Sequence, residues 1–182
     1  MNRFMFYKSL YDRELHRKEF LINSANVPIG ILTALVVVCA FLLKEFNYET
    51  HYQWCYFLFL VFISLGILSI ILSISYLMKA MNNMFRGFKY YEIPHLNFFE
   101  KKHTHIMQSY KPNIILKNRA ENEFEEYIIQ NLVKFTDIHT MINDKRSKQY
   151  FLCRRFLVIS LLFFIIASIP FLITLYETSL SQ

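Results

Sequence analysis

The chain has 182 residues, of which 54% are hydrophobic and only 19% charged, with a net charge of +6. Soluble domains average about 45–50% apolar and about 25% charged residues. Here the apolar residues gather in three charge-free stretches, Phe20–Leu43, Trp54–Met78 and Phe156–Tyr176, which excludes an ordinary soluble enzyme, a secreted disulfide scaffold and a disordered chain.

Each stretch supplies the roughly 20 helical residues that cross a bilayer core of about 30 Å. The expected fold class is an all-α membrane protein. It has three transmembrane helices, an N-terminal amphipathic helix, and a helical cytoplasmic region continuous with the last span.

Residues 1–22 form the amphipathic helix. Phe4, Tyr7, Tyr11 and Leu15 recur at helical spacing among Arg13, His16, Arg17 and Lys18. Such a helix either lies at the cytoplasmic interface or packs on the cytoplasmic ends of the spans. A signal peptide fits poorly, because the apolar run starts only at Phe20 and Phe41-Leu42-Leu43 offers no small-residue cleavage site.

Residues 23–78 read as a transmembrane hairpin, with spans of about 26–43 and 55–78 and a short outer loop at 44–54. Pro28 is acceptable in a first helical turn and marks the start of span one. So short a loop makes the two spans antiparallel neighbours. Tyr52, Trp54 and Tyr56 lie at the outer boundary, where aromatic rings with one polar end anchor a helix. In span two, Ser64, Gly66, Ser69 and Ser73 supply small residues, the last three on one face. Such a stripe serves helix packing or lines a pore.

Residues 79–155 form the cytoplasmic helical region. Lys79–Tyr91 keeps helical character until Pro94, and Ile93–Lys117 reads as a loop region with short elements. A longer helix follows from Asn118. Phe124, Ile128, Leu132, Phe135, Ile138 and Ile142 run down one of its faces. This stripe needs a partner: the Lys79–Tyr91 helix, the N-terminal helix or another subunit. With no Pro or Gly between Ala120 and Ile169, the helix continues into span three at 156–176. Pro170 kinks its outer end, and residues 177–182 form an outer tail. Span three carries its own small residues, Ser160, Ala167 and Ser168.

The placement of charge sets the topology. Five basic residues precede span one, one lies between the first two spans, fourteen fall between Lys79 and Arg155, and none follows span three. Basic residues are retained on the cytoplasmic side. The N-terminus is therefore expected inside and the C-terminus outside. Lys79, Arg86, Arg154 and Arg155 lie next to span ends, where they meet anionic headgroups. The central region also holds eight acidic residues, so direct nucleic-acid binding is not expected.

Recognised chemistry is sparse. No Asp, Glu, Lys or Arg lies inside a span, which argues against proton relays and coupled transport. Three glycines in the whole chain leave no phosphate-cradling loop. Cys39, Cys55 and Cys153 read as small hydrophobes. His95, His103 and His105 lack a further ligand at metal-binding spacing; with Glu100 they are the only candidates for lipid-directed catalysis. No enzyme activity, cofactor or metal is expected. Should a negatively charged ligand bind, Lys89, Tyr90, Tyr91, Lys101, Lys102 and His103 form the candidate patch, since basic and aromatic groups grip phosphates and stack bases.

The basic leader Tyr11-Asp12-Arg13-Glu14-Leu15-His16-Arg17-Lys18, the tight hairpin, and Asn143-Asp144-Lys145-Arg146-Ser147-Lys148 before a last span resemble a known group. They are similar in layout to the small multi-span membrane effectors of bacterial anti-phage defence systems, SLATT-type and related. The resemblance covers most of the chain, rests on architecture, and transfers no catalytic residue. It implies an oligomeric effector in the bacterial inner membrane that breaks membrane integrity after a cytoplasmic trigger. Its partners would be the lipid bilayer, further copies of the chain, and a sensor protein or nucleotide signal. The third span and outward C-terminus depart from plain two-span forms, and no nucleotide-binding domain is fused. The alternative is a membrane-anchored scaffold or accessory subunit that docks a cytoplasmic partner.

Overall fold

A computed structural model of the protein describes residues 2–48, 53–81, 87–91, 94–110 and 114–180. Among these the regular elements are five α-helices: α1 (Arg3–Asn23), α2 (Asn26–Glu45), α3 (Gln53–Met81), α4 (Leu96–Ser109) and α5 (Ile114–Leu180). The chain divides into two compact units. One comprises Met1–Leu21 and Asn83–Lys145, the other Ile22–Asn82 and Arg146–Gln182. We call them the polar and the apolar unit. The helix α5 contributes residues to both.

The apolar unit holds α2, α3 and the second half of α5. Three helical stretches are long and apolar enough to cross a membrane, and only 28%, 33% and 33% of their most apolar windows is buried. The rest is an aliphatic surface, with Val37, Phe57, Leu68, Leu162 and Ile169 more than half exposed. Extended apolar surface of this kind marks a contact with a membrane or another protein.

Close fit at small residues joins the three helices. Phe46, just past α2, stacks on Phe59 of α3 with ring centroids 3.8 Å apart. Phe41 meets Phe171 of α5 at 6.1 Å. Between α3 and α5, Ser160 Oγ donates to the Gly66 carbonyl at 3.1 Å, and Ser73 Oγ donates to the Cys153 carbonyl at 3.1 Å. Rising numbers on one helix match falling numbers on the other, so α3 and α5 run antiparallel.

Gly66 is the tight point. A methyl group there would lie 2.7 Å from Cδ1 of Phe164, a ring that is itself buried. Pro170 lies inside α5 and removes one backbone donor.

The polar unit differs from two sequence expectations. The described helix of span two is Gln53–Met81, and helical character does not extend to Tyr91. Residues 87–91 are non-helical, and Gly87 has φ of +86°, a left-handed conformation that glycine adopts at little cost. Conversely, the region between Pro94 and Lys117 is not mainly loop: it contains all of α4 and the start of α5. Pro94 lies just before α4, and Leu96–Ser109 has amphipathic helical character of its own. The unit is also compact by itself, because α1 packs on α5 within it.

The α3–α5 seam gives a prediction. Gly66→Ala forces Phe164 to move in a close-packed core, a class of change that costs about 1–3 kcal/mol. Thermal unfolding in detergent should fall for Gly66→Ala and recover in the Gly66→Ala/Phe164→Leu double variant. Equal loss in both would place the strain elsewhere.

Candidate functional site: a buried polar cluster

The apolar stripe of α5 buries Ile129, Leu132, Phe135 and Ile142. On the same face stand His139 and Asn143, 2% and 0% exposed. Facing them, α1 buries Glu14, 3% exposed. Burying polar groups is unfavourable unless they are hydrogen-bonded, so their partners are informative.

Asn143 ties three segments of the polar unit together. Its Nδ2 donates to Glu14 Oε2 and to the Glu14 carbonyl, each at 3.0 Å. Its Oδ1 accepts from the Tyr90 hydroxyl at 2.5 Å. Around Glu14, Arg17 Nη1 lies 3.5 Å from Oε2 and Arg13 Nη2 lies 3.6 Å from Oε1. Arg17 reaches across to Asp144 at 2.6 Å, and Arg3 pairs with Glu126 at 2.5 Å. The pairings 3 with 126, 14 with 143 and 17 with 144 make α1 and α5 parallel neighbours.

His139 completes the cluster. Its Nε2 lies 2.9 Å from the Tyr91 carbonyl. A carbonyl only accepts, so Nε2 carries the proton. Its buried Nδ1 makes no hydrogen bond. The rings of Tyr11 and Tyr90 flank it at 5.6 and 5.2 Å, and Lys18 Nζ stands 4.7 Å from the Tyr90 ring centroid. The arrangement is a polar latch: it fixes the register of α1 and of segment 87–91 on α5. Among the described residues no group of three or more His, Cys, Asp and Glu is placed to hold a metal ion.

The six residues of the anion patch fall in two places. Tyr90 and Tyr91 contact α5 at 143 and 139. On α4, Lys102 stands over the Tyr127 ring at 5.4 Å, and His103 meets the Phe124 ring at 4.7 Å. Along a helix, positions 124–127 lie about 18–22 Å from position 139. Lys89 and Lys101 are exposed, and among the described residues nothing joins the two groups into one pocket. His103 and His105 sit two apart on a helix and so face different ways. His103 packs on Phe124, whereas His105 lines an open groove of α4 with Glu100, Asn97 and Thr104. His95 lies just before α4.

Of the small residues, Gly66, Ser69, Ser73, Ser160 and Ala167 are buried within one copy of the chain. The first two serine hydroxyls bond to Leu65 and Cys153 carbonyls. Ser168 is half-buried and bonds to the Ile165 carbonyl. Ser64 is exposed, in a shallow apolar groove of α3 with Phe57, Leu60 and Leu68. Helix packing therefore occupies the stripe, leaving Ser64 free to face outward. The boundary residues Lys79, Trp54, Tyr56, Arg154 and Arg155 are exposed, and Lys79 Nζ lies 5.6 Å from the Tyr76 ring centroid. Tyr52 and Arg86 lie outside the described residues. The three cysteines are buried and unpaired with one another.

Apolar periodicity alone passes over Glu14, His139 and Asn143, which sequence reasoning therefore missed, though the sequence carries a signal. Glu14 follows Tyr7 and Tyr11 at spacings of four and three, and His139 and Asn143 follow Phe135 at successive spacings of four. Polar residues at core positions of two helices point to a network between them. Comparison with protein-family models, curated proteins and solved structures finds no match.

Two predictions follow from these bonds. Asn143→Ala strands the Glu14 carboxylate with fewer partners. Losing a buried hydrogen bond to a charged group costs about 1.5–3 kcal/mol, so limited proteolysis should cut α1 faster in this variant, and more slowly again in Glu14→Gln/Asn143→Ala. Separately, Tyr110 donates to Glu123 Oε2 at 2.5 Å, and that bond to Glu123 raises the phenol above its ordinary value. The contact stabilises the unit while the phenol is protonated and is lost as pH rises through the raised value. In ultraviolet titration, Glu123→Gln should move one tyrosine transition to lower pH.

Proposed function

We propose that this chain is a multi-pass membrane effector of the bacterial inner membrane. A trigger acts on the polar unit in the cytoplasm, and the response is a loss of membrane integrity carried by several copies of the chain. The observation that supports this most is α5 itself. One helix supplies the stripe, His139 and Asn143 to the polar unit and then continues as the third apolar span. A change in how α1 seats on Asn143 thus acts on the same helix that lies in the bilayer.

The cluster suits an off-state latch. Exposed ion pairs contribute little, so the buried Glu14–Asn143 tie dominates the hold on α1. A trigger needs only a few kcal/mol of differential affinity to reverse a hold of that size. The resemblance to small membrane effectors of anti-phage defence supplies the biological setting. The trigger is then a sensor protein or a nucleotide signal made during infection.

The test is induced expression in bacteria with a membrane-potential dye and an impermeant DNA stain. The native chain should depolarise cells weakly, and Asn143→Ala should depolarise them strongly at equal membrane abundance. Adding Gly66→Leu to Asn143→Ala should abolish the effect. If the native chain and Asn143→Ala both leave the potential intact while present in the membrane, the effector reading fails and the scaffold reading replaces it.

A further inference from the structure

One face of α5 changes character abruptly. Lys148, Phe151, Arg155, Val158 and Leu162 follow one another at spacings of three, four, three and four, so they share a face. All are exposed, with Phe151 at 66%, Val158 at 57% and Leu162 at 53%. Arg154, also exposed, lies one turn from both Phe151 and Val158. The face is basic and aromatic up to Arg155 and purely aliphatic beyond it. No acidic residue occurs between Asp144 and Glu177, so Arg154 and Arg155 have no carboxylate within two turns on their own helix, and Asp144, one turn before Lys148, pairs with Arg17.

The depth of the switch fits a lipid boundary. Cys153 lies against Ser73 of α3. The stretch Trp54–Ser73 measures about 29 Å at the helical rise, close to the thickness of a hydrocarbon core. With Trp54 at one interface, Arg154 and Arg155 therefore stand at the other. Cations at that depth reach phosphate without leaving the helix surface, and their aliphatic stems lie along apolar surface.

We propose that this face binds an anionic phospholipid. Lys148, Arg154 and Arg155 take the phosphate-bearing headgroup, Phe151 inserts at the headgroup level, and Val158 and Leu162 carry the upper acyl chain. The proposal rests on the membrane reading above and adds lipid selectivity at a defined face.

The experiment uses the full chain carrying Trp54→Phe and Phe151→Trp, so that its single tryptophan reports on position 151. It is reconstituted into vesicles of phosphatidylcholine and phosphatidylglycerol, with one or the other lipid brominated on its acyl chains. Flotation of protein with vesicles reports on the membrane reading separately. At about fivefold per cation near an anionic surface, quenching curves should give a phosphatidylglycerol preference of fivefold or more. Adding Arg154→Gln/Arg155→Gln should bring the preference near one, with circular dichroism confirming an unchanged helix content. Soluble glycerol phosphate should leave the preference intact. A floating protein with equal quenching by both lipids, or a preference that survives the double variant, overturns the lipid site alone. Abolition by glycerol phosphate overturns it in favour of a free phosphate-ester site. Failure to float overturns the membrane reading as well.

Discussion

Water does not reach a hydroxyl inside a close-packed apolar seam, and in the lipid surround proposed above it would not reach one on the outer face either, so each polar group of the apolar unit needs a partner within the protein. Thr33, Ser69 and Ser75 do so on their own helices, donating to the carbonyls of Ile29, Leu65 and Ile71 four residues back. Ser73 and Ser160 donate instead across the α3–α5 seam. Gly66 makes the second of these possible: lacking a side chain, it leaves its carbonyl open to Ser160 and its flank open to Phe164. Interhelical hydrogen bonds in membranes average about 0.6 kcal/mol, whereas overpacking costs about 1–3 kcal/mol. Shape at Gly66 therefore decides the seam more than its hydrogen bonds do.

The polar unit solves the opposite problem. Its apolar stripe is narrow, and most contacts of α1 with α5 are half-buried or ionic. A narrow stripe with water on both sides specifies register weakly. The buried Asn143 restores that specificity, because only one register lets it bond to Glu14 and Tyr90 at once while Arg17 meets Asp144. This is the use for which buried polar residues between helices are best attested. The adjacent His139 extends the same logic to segment 87–91 through the Tyr91 carbonyl.

Periodicity and hydropathy were enough to read the all-helical architecture and the three apolar helices, because those patterns arise from burial and solvent contact along single helices. Prolines at 28 and 94 marked breaks correctly, yet the non-helical segment 87–91 escaped. Helical pattern alone did not reveal the left-handed Gly87 or the docking of Tyr90 on Asn143 that accompany it. The extent of α4 escaped for the converse reason: Pro94 and Pro112 made Ile93–Lys117 read as a loop region with short elements. The polar cluster was not read from the sequence. Glu14 and Asn143 sit at polar positions on apolar faces, but which one meets which depends on helix register, and that is a tertiary property. The anion patch shows the same limit in reverse, since residues close in sequence and alike in chemistry sit about 18–22 Å apart along α5.

The composition of α5 bears on which functional reading is stronger. A scaffold needs only a tether between its docking surface and its anchor, and a Gly- or Ser-rich linker serves that purpose at little cost. This chain has no such linker there. Between Ala120 and Ile169 it contains neither Gly nor Pro, and the helix is unbroken from Ile114 to Leu180. Asn143 stands within three turns of Cys153, the residue against which Ser73 of α3 rests. A mere anchor gives no reason to keep that stretch free of breaks, whereas an effector triggered at α1, as proposed, would use a continuous helix there.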